Sequence, residues 1–309
     1  MTWISSSRGR PYDECRSSFS NLSPTCRIAS RIDHKCNRST FLPLAYFQDK
    51  KDMSIQASSI SWEIDGKKII NNVSLEINHG EVVSIIGPNG AGKSSFLNVL
   101  SGDIKPTAGD ITFDNVDLKE ITIQERSFMR SVMSQSQQIV YDFSVKEIIE
   151  MGWLDRGIAS YSEDFKYAVM NAAEECSILD ILDQKFNTLS GGEQRRVHFA
   201  RTLIQLWRPS DSKDPRYMFL DEPTANLDIK HEQNLMKLVK ENANEGIGVL
   251  LILHDLNLAA RYSDKLFIFK EGNLIKSGPP EEVLDKDMLT DVYGLEMNVE
   301  KDPLRVNYY

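Results

Sequence analysis

The sequence has few cysteines, no long apolar run and fewer basic than acidic residues. Four cysteines among 309 residues, three of them before residue 37, form no disulfide pattern and favour a reducing cytosol. The longest apolar runs, such as Val249–Leu253, fall far short of the ~18 residues that a membrane-spanning helix needs. A net charge of −9 argues against nucleic acid as the main partner, because binding its backbone depends on clustered Lys and Arg. What remains is the composition of an ordinary soluble globular protein, 41% hydrophobic and 26% charged.

Residues 1–52 differ from the rest of the chain in charge and in apolar patterning. They hold nine basic and five acidic residues and twelve Ser or Thr. Three interpretations are open: an organellar targeting segment, a zinc site at Cys26, His34 and Cys36, or a disordered or mis-started extension before Met53. The acidic residues argue against a targeting segment, and the cysteine spacing matches no CxxC pattern. We therefore expect the third.

From Met53 onward, short β-rich runs alternate with helical patterns, which predicts an α/β fold with a mainly parallel sheet. The predicted strands are Ile60–Ile64, Val73–Ile77, Val82–Ile86, Asp110–Phe113, Arg130–Ser134, Tyr217–Leu220, Val249–Leu253 and Lys265–Lys270. The predicted helices are Lys93–Leu100, Val145–Leu154, Asp164–Cys176, Gly191–Trp207, Lys230–Asn244, Asp255–Tyr262 and a closing helix, Glu281–Tyr293. The lack of a strand pattern between the fifth and sixth strands predicts an inserted helical subdomain, at about residues 136–188, within a domain spanning 53–309.

A glycine-rich run between the third strand and the first helix has the pattern of a phosphate-binding P-loop. Glycines allow the backbone N–H groups to point inward, and the helix N-terminus adds partial positive charge. The residues predicted to bind ATP here are Gly87, Pro88, Asn89, Gly90, Ala91, Gly92, Lys93, Ser94 and Ser95. Lys93 would reach the β- and γ-phosphates, and the Ser94 hydroxyl would bind Mg²⁺.

Two acids end the apolar strand Tyr217–Leu220. Carboxylates after such a strand are expected beside a ligand, because open α/β sheets bind ligands at the carboxyl ends of their strands. We predict that Asp221 helps to hold Mg²⁺ and that Glu222 polarises the attacking water.

The run Leu189-Ser-Gly-Gly-Glu193 opens a long helix, and with it residues 53–309 resemble the ATP-binding cassette (ABC) ATPases, whose signature motif it matches. The resemblance implies an antiparallel β portion beside the parallel sheet. It also implies a head-to-tail dimer, in which the signature motif of one subunit closes over the ATP of the other. Ser190, Gly191 and Gly192 would then contact ATP in trans.

The resemblance extends to further positions, whose roles it implies. Trp62 matches the aromatic residue that stacks on adenine, although a core tryptophan is the alternative. Gln135 matches the glutamine that contacts Mg²⁺ and the catalytic water, with Gln137 and Gln138 as alternative registers. Asp228 belongs to the D-loop, at the ATP of the second copy. His254 matches the histidine that bonds the γ-phosphate, so the predicted catalytic residues are Glu222, His254 and Gln135.

A single cassette without a fused membrane segment resembles the ATPase subunit of an importer. Such a subunit lies peripherally on the cytoplasmic face of the inner membrane and works with two transmembrane permease subunits and a substrate-binding protein. The alternative is a soluble ABC ATPase acting on ribosomes or DNA, but the chain has neither a second cassette, nor a long coiled-coil insertion, nor a basic surface.

Within the importers, the sequence resembles the iron-complex and cobalamin group, and inside it the haemin branch. The features that carry this are a polar insertion, Arg208–Pro215, the Leu-Asp-x-x-His run ending at His231, and the pair Met151-Gly152. Trp153 departs from the Arg or Lys that usually follows that pair, and the insertion has the alternative of a tolerated surface loop. The resemblance implies haemin import, with ferric siderophore or cobalamin as alternatives. No direct haem binding by this chain is expected, because its histidines form no axial-ligand motif.

Overall fold

The structure, a computed structural model, describes residues 53–135, 139–153, 163–208 and 214–308. Its strands are β1 (Ser54–Ile64), β2 (Lys67–Asn78), β3 (Val82–Ile86), β4 (Ala108–Phe113), β5 (Val116–Asp117), β6 (Arg130–Met133), β7 (Tyr217–Asp221), β8 (Gly248–Ile252), β9 (Lys265–Lys270), β10 (Asn273–Gly278), β11 (Met297–Lys301) and β12 (Leu304–Tyr308). Its α-helices are α1 (Lys93–Leu100), α2 (Ile123–Met129), α3 (Val145–Glu150), α4 (Glu163–Glu175), α5 (Gly191–Leu206), α6 (Ile229–Asn244), α7 (Leu256–Tyr262), α8 (Pro280–Val283) and α9 (Lys286–Tyr293).

A six-stranded sheet with the order β10-β9-β3-β8-β7-β6 forms the centre of the fold. Strands β9, β3, β8, β7 and β6 are parallel, and β10 joins the edge antiparallel to β9. Every residue of β3, β7 and β8 is buried, as expected for parallel strands that are covered on both faces. This order brings the carboxyl ends of β3, β7 and β8 to one edge of the sheet.

The second sheet is antiparallel and has the order β2-β1-β4-β5. One core cluster includes residues of this sheet, of α1 and of one face of the central sheet; the other lies on the opposite face of the central sheet. Alternate residues of β3 separate accordingly: Val83 and Ile85 belong to the first cluster, Val82 and Ile86 to the second. The predicted α/β class, a mainly parallel sheet with an antiparallel portion, is confirmed.

The region predicted to be a helical subdomain contains α3, α4 and two single 3₁₀ turns among its described residues. Both α3 and α4 pack against α5. Helix α3 begins with a capping box, in which Ser144 and Glu147 bond each other's backbone N–H. Whether 136–188 is the extent of a separate subdomain stays a prediction.

The closing helix predicted over Glu281–Tyr293 is wrong as a single element, because the structure forms the two helices α8 and α9. Leu284 leaves the helical conformation with ψ 88°, and the Asp285 carboxylate then accepts the backbone N–H groups of Asp287 and Met288. A new N-cap therefore interrupts the helix.

Several other elements differ from the sequence-based prediction. Helix α3 ends at Glu150 rather than Leu154, and the sequence pattern did not indicate α2, β10 or the hairpin β11–β12. The leader 1–52, to which the three alternative interpretations apply, lies outside the described residues. No helix in the described part of the chain is long and apolar enough to cross a membrane.

Candidate functional site

The glycine-rich loop between β3 and α1 lies so close to neighbouring backbone that two of its positions exclude a side chain. A Cβ on Gly87 would lie 2.1 Å from the carbonyl oxygen of Phe269, and one on Gly92 would lie 2.8 Å from that of Ile69. Both glycines also have positive φ, 147° and 95°. Within the described part of the chain, no side chain caps the N-terminus of α1, so the first N–H groups of this helix are available to an anion.

The Lys93 ammonium lies inside this loop. The side chain is buried, and its Nζ donates hydrogen bonds to the carbonyl oxygens of Gly87 (2.7 Å) and Pro88 (3.0 Å). Burial lowers the pKa of Lys93, and the charges of Glu222 and Asp221 act in the opposite direction. The loop therefore carries a positive charge at its centre, as phosphate binding requires.

Asp221 ends β7 beside the phosphate loop. Asp221 is 4% exposed. Burial and the charge of Glu222 raise its pKa, while a hydrogen bond from Ser94 and the charges of Arg195 and Lys93 lower it. The Oδ1 atom is buried and has no hydrogen-bond partner among the described residues, although buried polar atoms are normally paired. A hydroxyl and a carboxylate with a free oxygen are the hard donors that Mg²⁺ prefers. The residues present therefore fit a magnesium ion.

The Glu222 carboxylate is held between two side chains that are distant in sequence. Gln135 donates its Nε2–H to Glu222 Oε2 at 2.9 Å, and His254 Nε2 lies 2.6 Å from Oε1. The Glu222 side chain is 15% exposed. The structure thus brings the three predicted catalytic residues together, whereas Gln137 and Gln138 lie outside the described residues. A carboxylate held in this way can accept a proton from a water molecule.

Glu222 has a left-handed backbone conformation, with φ 50°, which is uncommon for a residue other than glycine. Its N–H donates to the carbonyl oxygen of Ile252 on β8, and its own carbonyl accepts from Ala225 N. This conformation turns the chain directly after β7 and directs the side chain toward Gln135 and His254.

The predicted signature residues form the N-terminus of α5. Ser190 is the N-cap, and its hydroxyl and its backbone N–H both donate to the Glu193 carboxylate, at 2.7 and 2.8 Å. Those bonds lower the pKa of Glu193. Ser190 and Gly191 are exposed, and a Cβ on Gly192 would lie 2.8 Å from the Asn226 carbonyl oxygen. The glycine at 192 therefore allows α5 to contact the turn that follows Glu222.

Two further predicted site residues are Asp228, at the N-terminus of α6, and Trp62, on β1. Asp228 caps α6 by accepting the backbone N–H of His231, whose ring Nδ1 is 2.9 Å away, and these bonds lower the pKa of Asp228. Trp62 is half-buried on β1, where it packs against the core cluster that includes the antiparallel sheet. Its partial burial is compatible with either interpretation of this residue.

Arg195 is the site residue to which the sequence analysis gave no role. It lies on α5 and is 7% exposed, although arginine is seldom so deeply buried unless it is paired. Its guanidinium donates to the carbonyl oxygens of Asp221 (2.6 Å), Glu222 and Gln135 (2.9 Å). The sequence gives no sign of these contacts, because Gln135 and Asp221 lie 60 and 26 positions away from Arg195 in the chain.

Comparisons with known proteins agree on one family. A family model described as ABC transporter matches residues 70–225. The hemin import ATP-binding protein HmuV of Escherichia coli O157:H7 is 41% identical over 250 residues, covering 81% of this chain and 95% of the relative. The protein of that name from Rhodopseudomonas palustris (strain BisB5) is 39% identical, covering 81% and 94%. The dimeric structure of MJ0796, a bacterial ABC transporter cassette, matches with a TM-score of 0.64 and 25% identity, covering 73% of this chain and 98% of that one.

Proposed function

The chain belongs to the ABC transporter family, and on that premise we propose that it is the ATP-hydrolysing subunit of an importer that takes up haemin. Family membership confirms the predicted cassette fold and the predicted binding of ATP. The observation that carries hydrolysis is the Glu222 carboxylate beside the phosphate loop, held by Gln135 and His254. Haemin as the cargo is supported by two hemin import ATP-binding proteins that are 41% and 39% identical to this chain.

The proposed reaction starts with ATP phosphates in the Gly87–Ser95 loop, where backbone N–H groups and Lys93 bind them. Ser94, Asp221 and Gln135 would hold Mg²⁺, which supplies neutralisation of phosphate charge when it is bound. Glu222 orients the attacking water and accepts its proton. His254 and Gln135 keep the carboxylate in place, and His254 also reaches the γ-phosphate.

A second copy of the chain would complete each ATP site. Ser190, Gly191, Gly192 and Asp228 are the residues proposed to contact the partner's ATP. The exposure of Ser190 and Gly191 at the start of a 16-residue helix supports this, because a helix N-terminus attracts phosphate. The dimeric MJ0796 cassette, 25% identical to this chain, supports a dimer.

Two permease subunits and a substrate-binding protein are the further partners proposed, at the cytoplasmic face of the inner membrane. The predicted helical subdomain offers a surface for a permease, since Val140, Tyr141 and Met151 are 82%, 73% and 47% exposed. A groove of about 560 Å³ between α3 and α4 includes Trp153, whose ring packs against Phe165 at 5.1 Å. Two aromatic rings thus line this groove, at a position where the resemblance implies a basic residue.

Adenine stacking on Trp62 gives a prediction that separates its two interpretations. The Trp62→Ala variant is expected to bind ATP more weakly by about 1–3 kcal/mol, the contribution of stacking a base on an aromatic ring. Isothermal titration with ATP and with inorganic triphosphate measures it, because only ATP carries the base. Equal losses for both ligands, or no loss for ATP, would show that Trp62 is a core residue.

The proposed function is tested by uptake of labelled haemin, ferric siderophore and cobalamin in the native host. A chromosomal Lys93→Ala variant is compared with the wild type and with Lys237→Ala, whose lysine is exposed on α6. Selective loss of haemin uptake in Lys93→Ala is the expected result. Loss of siderophore or cobalamin uptake instead would assign that compound, and not haemin, as the cargo. Unchanged uptake of all three would favour a non-transport ATPase.

A further inference from the structure

We propose that Arg195 is a positioning residue for hydrolysis, which holds Glu222 and Gln135 in their productive geometry through backbone contacts. The inference rests on the proposed function, in which Glu222 orients the water and accepts its proton. Arg195 lies on α5 of the same chain. It belongs neither to the phosphate loop nor to the group formed by Glu222, Gln135 and His254.

One guanidinium joins the two segments that carry the reacting groups. Its Nη2 donates to the carbonyl oxygens of Asp221 and Glu222 at the end of β7, and its Nη1 donates to that of Gln135 after β6. Because these segments are separate in sequence, the planar fork fixes their spacing as well as their orientation.

The contact is made at a residue whose backbone conformation is uncommon. Glu222 has φ 50°, and a left-handed residue other than glycine persists only when its surroundings hold it. The Ile252 carbonyl holds the N–H of Glu222, and Arg195 holds its carbonyl. With both ends of the residue fixed, the carboxylate is directed to Gln135 and His254.

The same guanidinium also fixes the hydrogen-bond donor of that carboxylate. Gln135 donates to Glu222 Oε2 from its side chain while its carbonyl accepts from Arg195. Loss of the fork would therefore move the acid and its partner relative to each other. It would not touch Lys93 or Ser94, so we expect an effect on turnover and not on nucleotide binding.

Two substitutions separate geometry from charge. Arg195→Lys keeps the positive charge beside Asp221 and Glu222 but loses the planar fork, and Arg195→Met removes both. Arg196→Met is the matched control, because Arg196 is the next residue of α5 and donates to the carbonyl oxygens of Cys176 and Ser177 instead. Thermal melting and binding of a fluorescent ATP analogue establish that each variant is folded.

Steady-state ATPase measurements on the full chain test the proposal, in the wild-type and in the Glu222→Gln background. Arg195→Lys is expected to lower kcat about 10- to 100-fold, the effect of a small misplacement of a reacting group. The KM of Arg195→Lys should change less than about 2-fold, because the substitution removes no contact with the substrate. The kcat of Arg196→Met should also change less than about 2-fold, because Arg196 contacts Cys176 and Ser177 instead of the site. In the Glu222→Gln background, Arg195→Lys should lower the remaining rate by less than about 2-fold, since residues that act as a unit are not additive.

Two results would overturn the positioning role. An equal loss in both backgrounds would show that Arg195 acts independently of Glu222, and a raised KM with unchanged kcat would assign it to binding. Arg195→Lys decides the question if Arg195→Met does not fold. A Glu222→Gln protein with full ATPase activity is a different outcome, because it would remove the proposed function itself and this inference with it.

Discussion

The Glu222→Gln protein is expected to bind ATP with normal affinity and to hydrolyse it about 10²–10⁴-fold more slowly, the range for losing a positioned acid-base group. Glutamine has the shape of glutamate, and its amide can bond Gln135 and His254, which lie 2.9 and 2.6 Å from the carboxylate. It cannot take the proton of the attacking water. Binding is therefore retained while turnover is lost.

Single-turnover hydrolysis and equilibrium binding of ATP measure the two effects separately. Glu241→Gln is a suitable control, because Glu241 is exposed on α6 and pairs with Lys237. Near-normal turnover of Glu222→Gln would exclude Glu222 as the proposed base. Weaker ATP binding without a kinetic defect would instead place Glu222 among the nucleotide-binding residues.

The Lys93→Ala protein is expected to bind ATP more weakly by about 2–5 kcal/mol, the cost of truncating one partner of a buried charge pair. The ammonium is buried within the loop and is held by the carbonyl oxygens of Gly87 and Pro88. Its removal leaves ATP phosphates without their central positive charge. The expected loss corresponds to about 30- to several thousand-fold in Kd.

Isothermal titration calorimetry at fixed ionic strength measures this affinity, with Lys237→Ala as the control for a surface lysine. Surface charges contribute little in salt, so the control should match the wild type. An ATP affinity of Lys93→Ala within about 3-fold of the wild type, well under the 1.4 kcal/mol of a tenfold change, would contradict the proposed role of Lys93.

Much of the fold follows from the sequence because its strands are strongly apolar. Val82–Ile86 was predicted with the bounds of β3, and the predicted Tyr217–Leu220 lies within β7. Runs with both faces buried are characteristic of parallel strands. The edge strand β10 was not predicted, since all six of its residues are exposed or only partly buried, so no apolar period marks it. The break at Leu284 was missed because apolar spacing continues through it and only the Asp285 cap ends the first helix.

The site divides in a similar way. Residues Gly87–Ser95 are contiguous, so a strand, a turn and a helix start are enough to place them. The positions of Gln135, Glu222 and His254 in the chain were predicted by resemblance, but their mutual distances depend on three different strand ends. Arg195 was given no role, because its partners on β7 and after β6 become neighbours only when α5 packs against the central sheet.

The sequence by itself determined the features that depend on neighbours a few residues apart: the phosphate loop, the buried strands and the Ser190–Glu193 cap of α5. Tertiary structure alone decided which residues meet across the chain. The Glu222 carboxylate meets Gln135 and His254, and the Arg195 guanidinium meets carbonyl groups at the ends of β6 and β7. The physical reason is the range of the interactions. Local hydrogen bonds and apolar periods depend on residues that are close in sequence. The strand order β3-β8-β7-β6 depends instead on burying both faces of the sheet at once.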